Sequence, residues 1–266
     1  MRDFRIRQWQ DVKVVECVPI REAGFVAAFS TRCGGVSALP AGDLNLGYFA
    51  KDDPANVSEN RRRFLTALGL EGYKIATVKQ IHSSMVYVVD DLNAIAGVSC
   101  DALLTRLEKV LLGILTADCL PILIVDTVRN VCAGAHAGWR GTLARIAEQT
   151  VTAMQKTYGT YPEDCLVAMG PAIGICCFEV GPEVRESFER EFSYAESLFC
   201  NPRADGKSHM NLRQANIAQL EAMGISRDKI YVWAECTLCN TTKYFSYRAE
   251  ARRGAVGRLL SVVGKL

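Results

Sequence analysis

Between positions 111 and 135 the chain passes through three short and almost unbroken apolar runs, 111–115 (LLGIL), 120–125 (LPILIV) and 131–135 (VCAGA). Each is shorter than an ordinary helix, and none alternates with polar residues as a strand with one wet face would. They read as strands buried on both faces, which only a layered architecture provides. Elsewhere strand and helix patterns alternate, yet several strand patterns follow one another directly. The expected fold is therefore α/β (α+β), with mixed sheets covered by helices.

The links between these runs carry chemistry. Asp118 and Cys119 separate the first two, and His136 follows the third in a turn bracketed by Gly134, Gly138 and Gly141. A helical pattern then runs over 142–158. A strand, a tight turn and a helix start thus set metal-binding side chains beside backbone N–H groups that suit an anion.

With 266 residues, 49% of them hydrophobic, the chain can bury a large core, and one catalytic domain over 1–266 is expected. Lysine plus arginine (31) nearly balances aspartate plus glutamate (29), and the net charge of +2 makes no case for a nucleic-acid or membrane partner. Small neutral or anionic substrates remain, and nothing identifies a protein partner. The first residues lack the apolar core of a signal peptide, and nowhere do roughly 18 apolar residues run together, so a cytoplasmic location is expected. Eleven cysteines without the spacing of a disulfide scaffold agree with a reducing compartment. Only His82, His136 and His209 exist, so any mechanism works with three imidazoles.

Strands are expected near 12–18 and 25–30, and the second leads into STRCGGVSALPAGDLNLG (30–47), which presents Arg32 and Asn45 on irregular backbone. Such a segment is either a binding element or a plain solvated loop. Asp53 and Pro54 open a helix that Gly69 closes after Leu68. His82 lies in KQIHS, at a break between strands expected over 75–80 and 84–89; alone, it reads more readily as a structural histidine than as a ligand. Further strands are expected at 102–105, 165–169, 230–234, in the aromatic KYFSYR (243–248) and at 256–263, with helices over 182–192 and 212–223. GPAIGICCFEVG (170–181) sets Cys176, Cys177 and Glu179 on a loop, where a vicinal cysteine pair usually only packs. Cys236 and Cys239 form a CxxC, but a structural zinc site needs two more ligands and none is near in sequence.

His82, Cys119 and His136 sit in glycine-flanked or strand-terminal turns able to converge. Two nitrogens and a sulfur leave a fourth position of zinc open to water or substrate, the pattern of a catalytic site. The same residues equally compose a Cys-His hydrolase, with Cys119 as nucleophile, His136 as base and Asp118 or another acid as the orienting group. A zinc-stabilised module without activity is a third class. Sequence spacing does not separate them.

The motifs STRCGGVS, DLNLG, ENRRR, KQIHS, TADCLPILIVD, HAGWRGT, GPAIGICCFEVG and FSYR resemble those of the YfiH-like family, whose members carry the labels laccase-domain protein, polyphenol oxidase and purine nucleoside phosphorylase. The resemblance spans about residues 25–263. It implies a four-layer α/β/β/α fold and a mononuclear zinc on His82, Cys119 and His136. It also implies phosphorolysis of adenosine, inosine and methylthioadenosine, and deamination of adenosine. Bacterial relatives are linked to peptidoglycan-precursor editing, which is the amidase alternative. Phe178 stands where a tyrosine often precedes the glutamate, and PAGDLNLG replaces a more usual aromatic-containing turn; both departures bear on substrate fit. For such an enzyme Asp118 and Glu179 are candidate proton shuttles. Arg32, Arg248 and the N–H groups after Gly138 are candidates for holding phosphate, and Asn45 for ribose. The histidine count argues against a true multicopper laccase, leaving polyphenol oxidase as an alternative of lower rank, and copper in the single His and Cys site stays a lesser alternative to zinc.

Overall fold

In the computed structural model, which describes residues 3–38, 41–48 and 51–266, the three apolar runs are strands of two stacked six-stranded sheets. In chain order the strands of these sheets are β1 (Phe4–Trp9), β2 (Val12–Cys17), β3 (Phe25–Ser30), β4 (Lys74–Ala76), β5 (Val86–Val88), β6 (Ala102–Thr105), β7 (Val110–Thr116), β8 (Leu120–Asp126), β9 (Val131–Ala137), β10 (Cys165–Met169), β11 (Ile230–Val232) and β12 (Leu259–Lys265). One sheet runs β1-β2-β3-β12-β7-β4 and the other β11-β10-β8-β9-β6-β5. The β4–β7, β5–β6 and β10–β11 pairs are parallel and the rest antiparallel.

Alternate side chains of each run face different neighbours, which is why none is polar. Leu112 and Ile114 of β7 meet Leu123 and Val125 of β8 between the sheets, with Phe29 and Val263. Leu111 and Leu115 point the other way, onto Phe64 and Leu68 of the helix Pro54–Leu68. On the far side Ile122 and Ile124 pack against Val151 and Met154 of the helix Ile146–Tyr158 and Ile217 and Leu220 of the helix Leu212–Ala222. The result is the expected α/β/β/α stack. Burying each such side chain contributes about 2 kcal/mol. No helix among the described residues is long and apolar enough to cross a membrane.

The helix at 54–68 has the expected ends: the Asp53 carboxylate accepts from Ala55 N–H, and Gly69 adopts φ 69°. Several expectations differ. Strand β1 was not expected and pairs with β2 as a hairpin. The helix after His136 breaks into Trp139–Leu143 and Ile146–Tyr158, because Gln219 Nε2 donates to the Thr142 carbonyl (2.7 Å) and Arg145 turns to φ 62°. Residues 33–43 include a two-stranded ribbon, Cys33–Ala38 with Ala41–Asp43. The aromatic segment at 243–248 is no strand. Lys243 and Tyr244 N–H both turn back to the Asn240 carbonyl, and Tyr244 and Phe245 plug a small separate cluster with Val256 and Leu259.

Candidate metal centre

The β7–β8 link crosses from one sheet to the other, and its tight course presents Cys119 beside His82, in the segment after β4, and His136, at the end of β9. Asp118 sits at φ 90° and His82 at φ 61°. Non-glycine residues in this left-handed region cost of order 1 kcal/mol or more and persist where surrounding bonds fix them. His136 belongs to the end of β9, opposite Pro121. The donor atoms of His82, Cys119 and His136 all lie within 4.8 Å of one another, with Cys119 Sγ 4.0 Å from His82 Nε2. Gly138 makes room for them: a Cβ there would stand 3.0 Å from His82 Cδ2 and 3.1 Å from Cys119 Sγ.

One buried carboxylate organises both histidines. Asp101, 1% exposed, accepts from Nδ1 of His136 (2.8 Å), from the N–H groups of Ile81 (3.2 Å), His82 (2.9 Å) and Ser83 (2.6 Å), and from Ser83 Oγ (2.7 Å). It therefore holds the left-handed turn at His82 while fixing the ring of His136, the relation that carboxylates commonly have to metal-binding histidines. Burial alone would raise the Asp101 pKa, but the bonds from His136 and Ser83 outweigh it and hold the carboxyl well below its ordinary value.

Without a metal, Cys119 and His136 behave as an ion pair. Burial opposes charge on both; the His136 charge, with bonds from His136 and His82, nevertheless lowers the Cys119 thiol from 9.0 to about 6. Against the same burial, Cys119 and Asp101 raise His136 from 6.5 to about 9. Zinc binds thiolate and neutral imidazole, so it would take the Cys119 sulfur as it stands and displace the Nε2 proton of His136; with that proton released, the three donors fit it.

The cluster opens into a cavity of about 1270 Å³ lined by Val78, Ile95, Trp139, Ile173, Phe178 and Tyr247 among others, and by the cations Arg61, Lys79, Arg140, Arg248 and Arg258. Nη2 of Arg61 and Oγ1 of Thr116 are buried in its lining without a hydrogen-bond partner. Burial lowers the Arg61 and Arg258 pKa values, so each guanidinium gains from a bound anion.

Residues 26–265 match the family model described as multi-copper polyphenol oxidoreductase laccase. The chain belongs to that family. It is 35% identical over 253 residues to the purine nucleoside phosphorylase YlmD of Geobacillus stearothermophilus, covering 91% of each chain. It is 39% identical over 235 residues to the adenosine deaminase RL5 of an unknown prokaryotic organism, covering 84% of this chain and 88% of that one. The crystal structure of the Bacillus licheniformis hypothetical protein YfiH superposes with a TM-score of 0.89 at 28% identity, covering both chains completely.

In this laccase-family chain the three expected metal ligands come together, but several other expectations need correction. Arg32 does not line the cavity: it is buried, forked onto Asp43 (2.7 Å) and Glu250 (2.6 Å), and stacked 4.4 Å over Phe245. Asn45 is buried in bonds to Asp52, Gly47 and the Arg258 N–H. The Glu179 carboxylate turns away from the cavity onto Arg203 and Lys207. Asp118 does line the cavity, but its oxygens already accept from Thr237 Oγ1 (2.5 Å), Ser246 Oγ (3.0 Å) and Arg248 N–H (2.7 Å). Those bonds fasten the loops of Thr237, Ser246 and Arg248 to it. Arg248 is a cavity residue, steadied by the Glu179 carbonyl (3.1 Å). His209 is elsewhere, bonded through Nδ1 to the Ile175 carbonyl (2.8 Å). Asp101 and Arg61 were missed in the sequence; the polar residue directly before the apolar strand 102–105 was the one signal for Asp101.

Proposed function

We propose that this chain is a zinc-dependent purine nucleoside enzyme. It cleaves adenosine, inosine and methylthioadenosine with phosphate to base plus ribose 1-phosphate or its 5-methylthio form, and it deaminates adenosine to inosine. The observation that carries this reading is the meeting, in one cavity, of the His82–Cys119–His136 donor set with apolar and aromatic walls and unsatisfied arginine. Walls such as Phe178 and Tyr247 suit the faces of a purine, while Arg61 and Arg258 suit phosphate. The names of the relatives, a phosphorylase and a deaminase, agree with both reactions.

When bound by His82, Cys119 and His136, zinc supplies Lewis acidity to a water molecule or a substrate oxygen. The rest is done by side chains. Asp101 orients His136, and Gly138 leaves space against Cys119 and His82. Arg61 and Arg258 take over the phosphate-binding role first expected of Arg32, with Arg248 beside them. Asp118 holds the Thr237 and Ser246 loops that close the cavity.

Chromatography of the products from adenosine, with and without phosphate, tests the proposal. Inosine should form in either case, and ribose 1-phosphate only with phosphate. Arg61→Ala should raise the KM for phosphate at least about tenfold, the loss of one charge-assisted contact of about 1.5 kcal/mol, while sparing inosine formation. Absence of both products above a metal-stripped control would end the nucleoside reading.

One observation favours a second reading. Cys119, His136 and Asp101 line up as thiolate, imidazolium and carboxylate, the arrangement of a Cys-His hydrolase, which here would be an amidase editing peptidoglycan precursors. A covalent acyl adduct on Cys119 during turnover would favour it, and protection of Cys119 from alkylation by added zinc favours the metal reading.

A further inference from the structure

Outside the cavity described above, the described residues contain one other cluster able to hold a metal ion. It joins the two cysteine motifs that looked unrelated in sequence. We propose that Cys176, Cys177, Cys236 and Cys239 form a second metal centre, a tetrathiolate zinc site that clips the loop before Glu179 to the loop after β11. The sequence offers no partner near the CxxC and reads the vicinal pair as packing; the fold brings the two pairs together. The two missing ligands lie some sixty positions upstream and are brought in by the fold.

All four sulfurs lie within 4.8 Å of one another. Cys239 Sγ stands 3.6 Å from Cys176 Sγ and 3.4 Å from Cys177 Sγ. A tetrahedral zinc with Zn–S bonds near 2.3 Å sets sulfurs about 3.8 Å apart, close to what is seen. A disulfide needs one partner per sulfur, whereas Cys239 is shared almost equally between two, as the corner of a four-ligand polyhedron would be.

The surroundings are shaped around the sulfurs. Gly174 N–H donates to Cys236 Sγ (3.2 Å), and a Cβ at Gly174 would crowd Cys176 Sγ to 3.1 Å and Cys236 Cβ to 3.2 Å. Arg213 adds an independent sign. Its Nε and Nη2 are buried with no hydrogen-bond partner, and Cys236 and Cys176 are the ionisable groups that act on it. Four neutral thiols leave that guanidinium uncompensated; zinc with four thiolates carries a net charge of two minus, and the guanidinium offsets half of it. An all-sulfur donor set selects zinc over hard cations, and with all four positions filled by protein the site is structural.

The clip braces one wall of the cavity. Ala172 and Cys236 form a β-bridge, Thr237 N–H donates to the Ala172 carbonyl (3.1 Å), and Thr237 Oγ1 reaches Asp118. Ile173 N–H donates to the Asp118 carbonyl (2.8 Å). Ile173 and Phe178, on the clipped loop, line the cavity. The second zinc is therefore placed to hold the wall against which a ligand lies, without touching the first.

Metal analysis of reduced protein purified without chelators is the test. Wild type should carry two zinc ions per chain, and both Cys176→Ser/Cys239→Ser and Cys119→Ser should carry one. Zinc-edge X-ray absorption of the wild type needs no variant, so it still decides if the double variant fails to fold. It should show more sulfur neighbours per zinc than Cys119 alone can give. A wild type with a single zinc that vanishes in Cys119→Ser would overturn the proposal. So would two zinc ions retained in the double variant, or a disulfide among these four cysteines in the reduced protein.

Discussion

Replacing Asp101 with asparagine changes one atom and tests how much of the metal centre rests on that carboxylate. One oxygen of Asp101 serves His136 Nδ1 and His82 N–H, and the other serves Ile81 N–H, Ser83 N–H and Ser83 Oγ. If the asparagine keeps its oxygen toward His136, its NH₂ faces the amides of Ile81 and Ser83, and two donors lose their acceptor. At about 1–3 kcal/mol for each buried donor left unsatisfied, the loss is about 2–6 kcal/mol. If the amide turns the other way, His136 and His82 lose theirs and the imidazole is pushed into the other tautomer. A chain of this size melts about 2–4 °C lower per kcal/mol, so the metal-free variant should lose at least about 5 °C. Losing the carboxylate behind a metal-binding histidine should also weaken zinc affinity about 10–100-fold. Calorimetry of the metal-free protein reads the first effect and competition with a chelator the second. An Asp101→Asn protein that melts with the wild type and holds zinc as tightly refutes the role assigned to this residue.

Arg32→Ala should act on folding and not on phosphate, because it strands the buried Asp43 and Glu250 carboxylates; urea denaturation should report a loss of about 3–5 kcal/mol, and a variant of normal stability with a selective phosphate defect would contradict the placement. Gly138→Ala should fold yet bind zinc at least about tenfold more weakly, since its Cβ crowds His82 and Cys119; unchanged zinc affinity would show that the site yields easily. In metal-free protein the raised His136 favours the fold below 6.5 and loses that advantage as pH rises to about 9, whereas the lowered Cys119 favours the fold above 9 and loses it as pH falls to about 6. The opposed slopes, each about 1.4 kcal/mol per pH unit, cancel over the shared window, so these two groups should leave stability level between pH 6.5 and 9 while alkylation of Cys119 is half-maximal near pH 6; alkylation that begins only near pH 9 would exclude the ion pair.

The fold was legible wherever burial left a uniform mark. The runs in β7, β8 and β9 are apolar at every step because both faces are covered, and the helix at 54–68 announces itself through Asp53 and Gly69. Strand β1 was not legible, since it is a sheet edge whose residues are largely exposed, and its Arg5 and Arg7 look like surface charge. Their function appears only once β1 pairs with β2, where Arg5 (2.6 Å) and Arg7 (3.5 Å) reach the buried Glu16 carboxylate. A charge on an edge strand and a charge neutralising a buried partner are written with the same letter.

The same ambiguity divided the site. His82, Cys119 and His136 could be read because strand ends and glycines marked each of them separately. Arginines carry no such mark. Arg32 sits in a glycine-rich loop, as a phosphate ligand would, yet its counter-charges Asp43 and Glu250 lie 11 and 218 positions away, and the second becomes a neighbour only after folding. Arg61 sits on the helix one position past the buried Asn60 with no local pattern that singles it out, yet its guanidinium reaches the cavity and leaves Nη2 unpaired there. Asp101 enters through topology as well. Strand β6 pairs with β9 so that Ala102 lies opposite Ala135, and the residue before the one then meets the residue after the other, Asp101 against His136, through both the backbone (2.7 Å) and the ring (2.8 Å). Local spacing thus picks out candidate ligands that each strand end displays by itself, whereas a carboxylate or guanidinium acquires its role from the partner that the sheet register sets beside it.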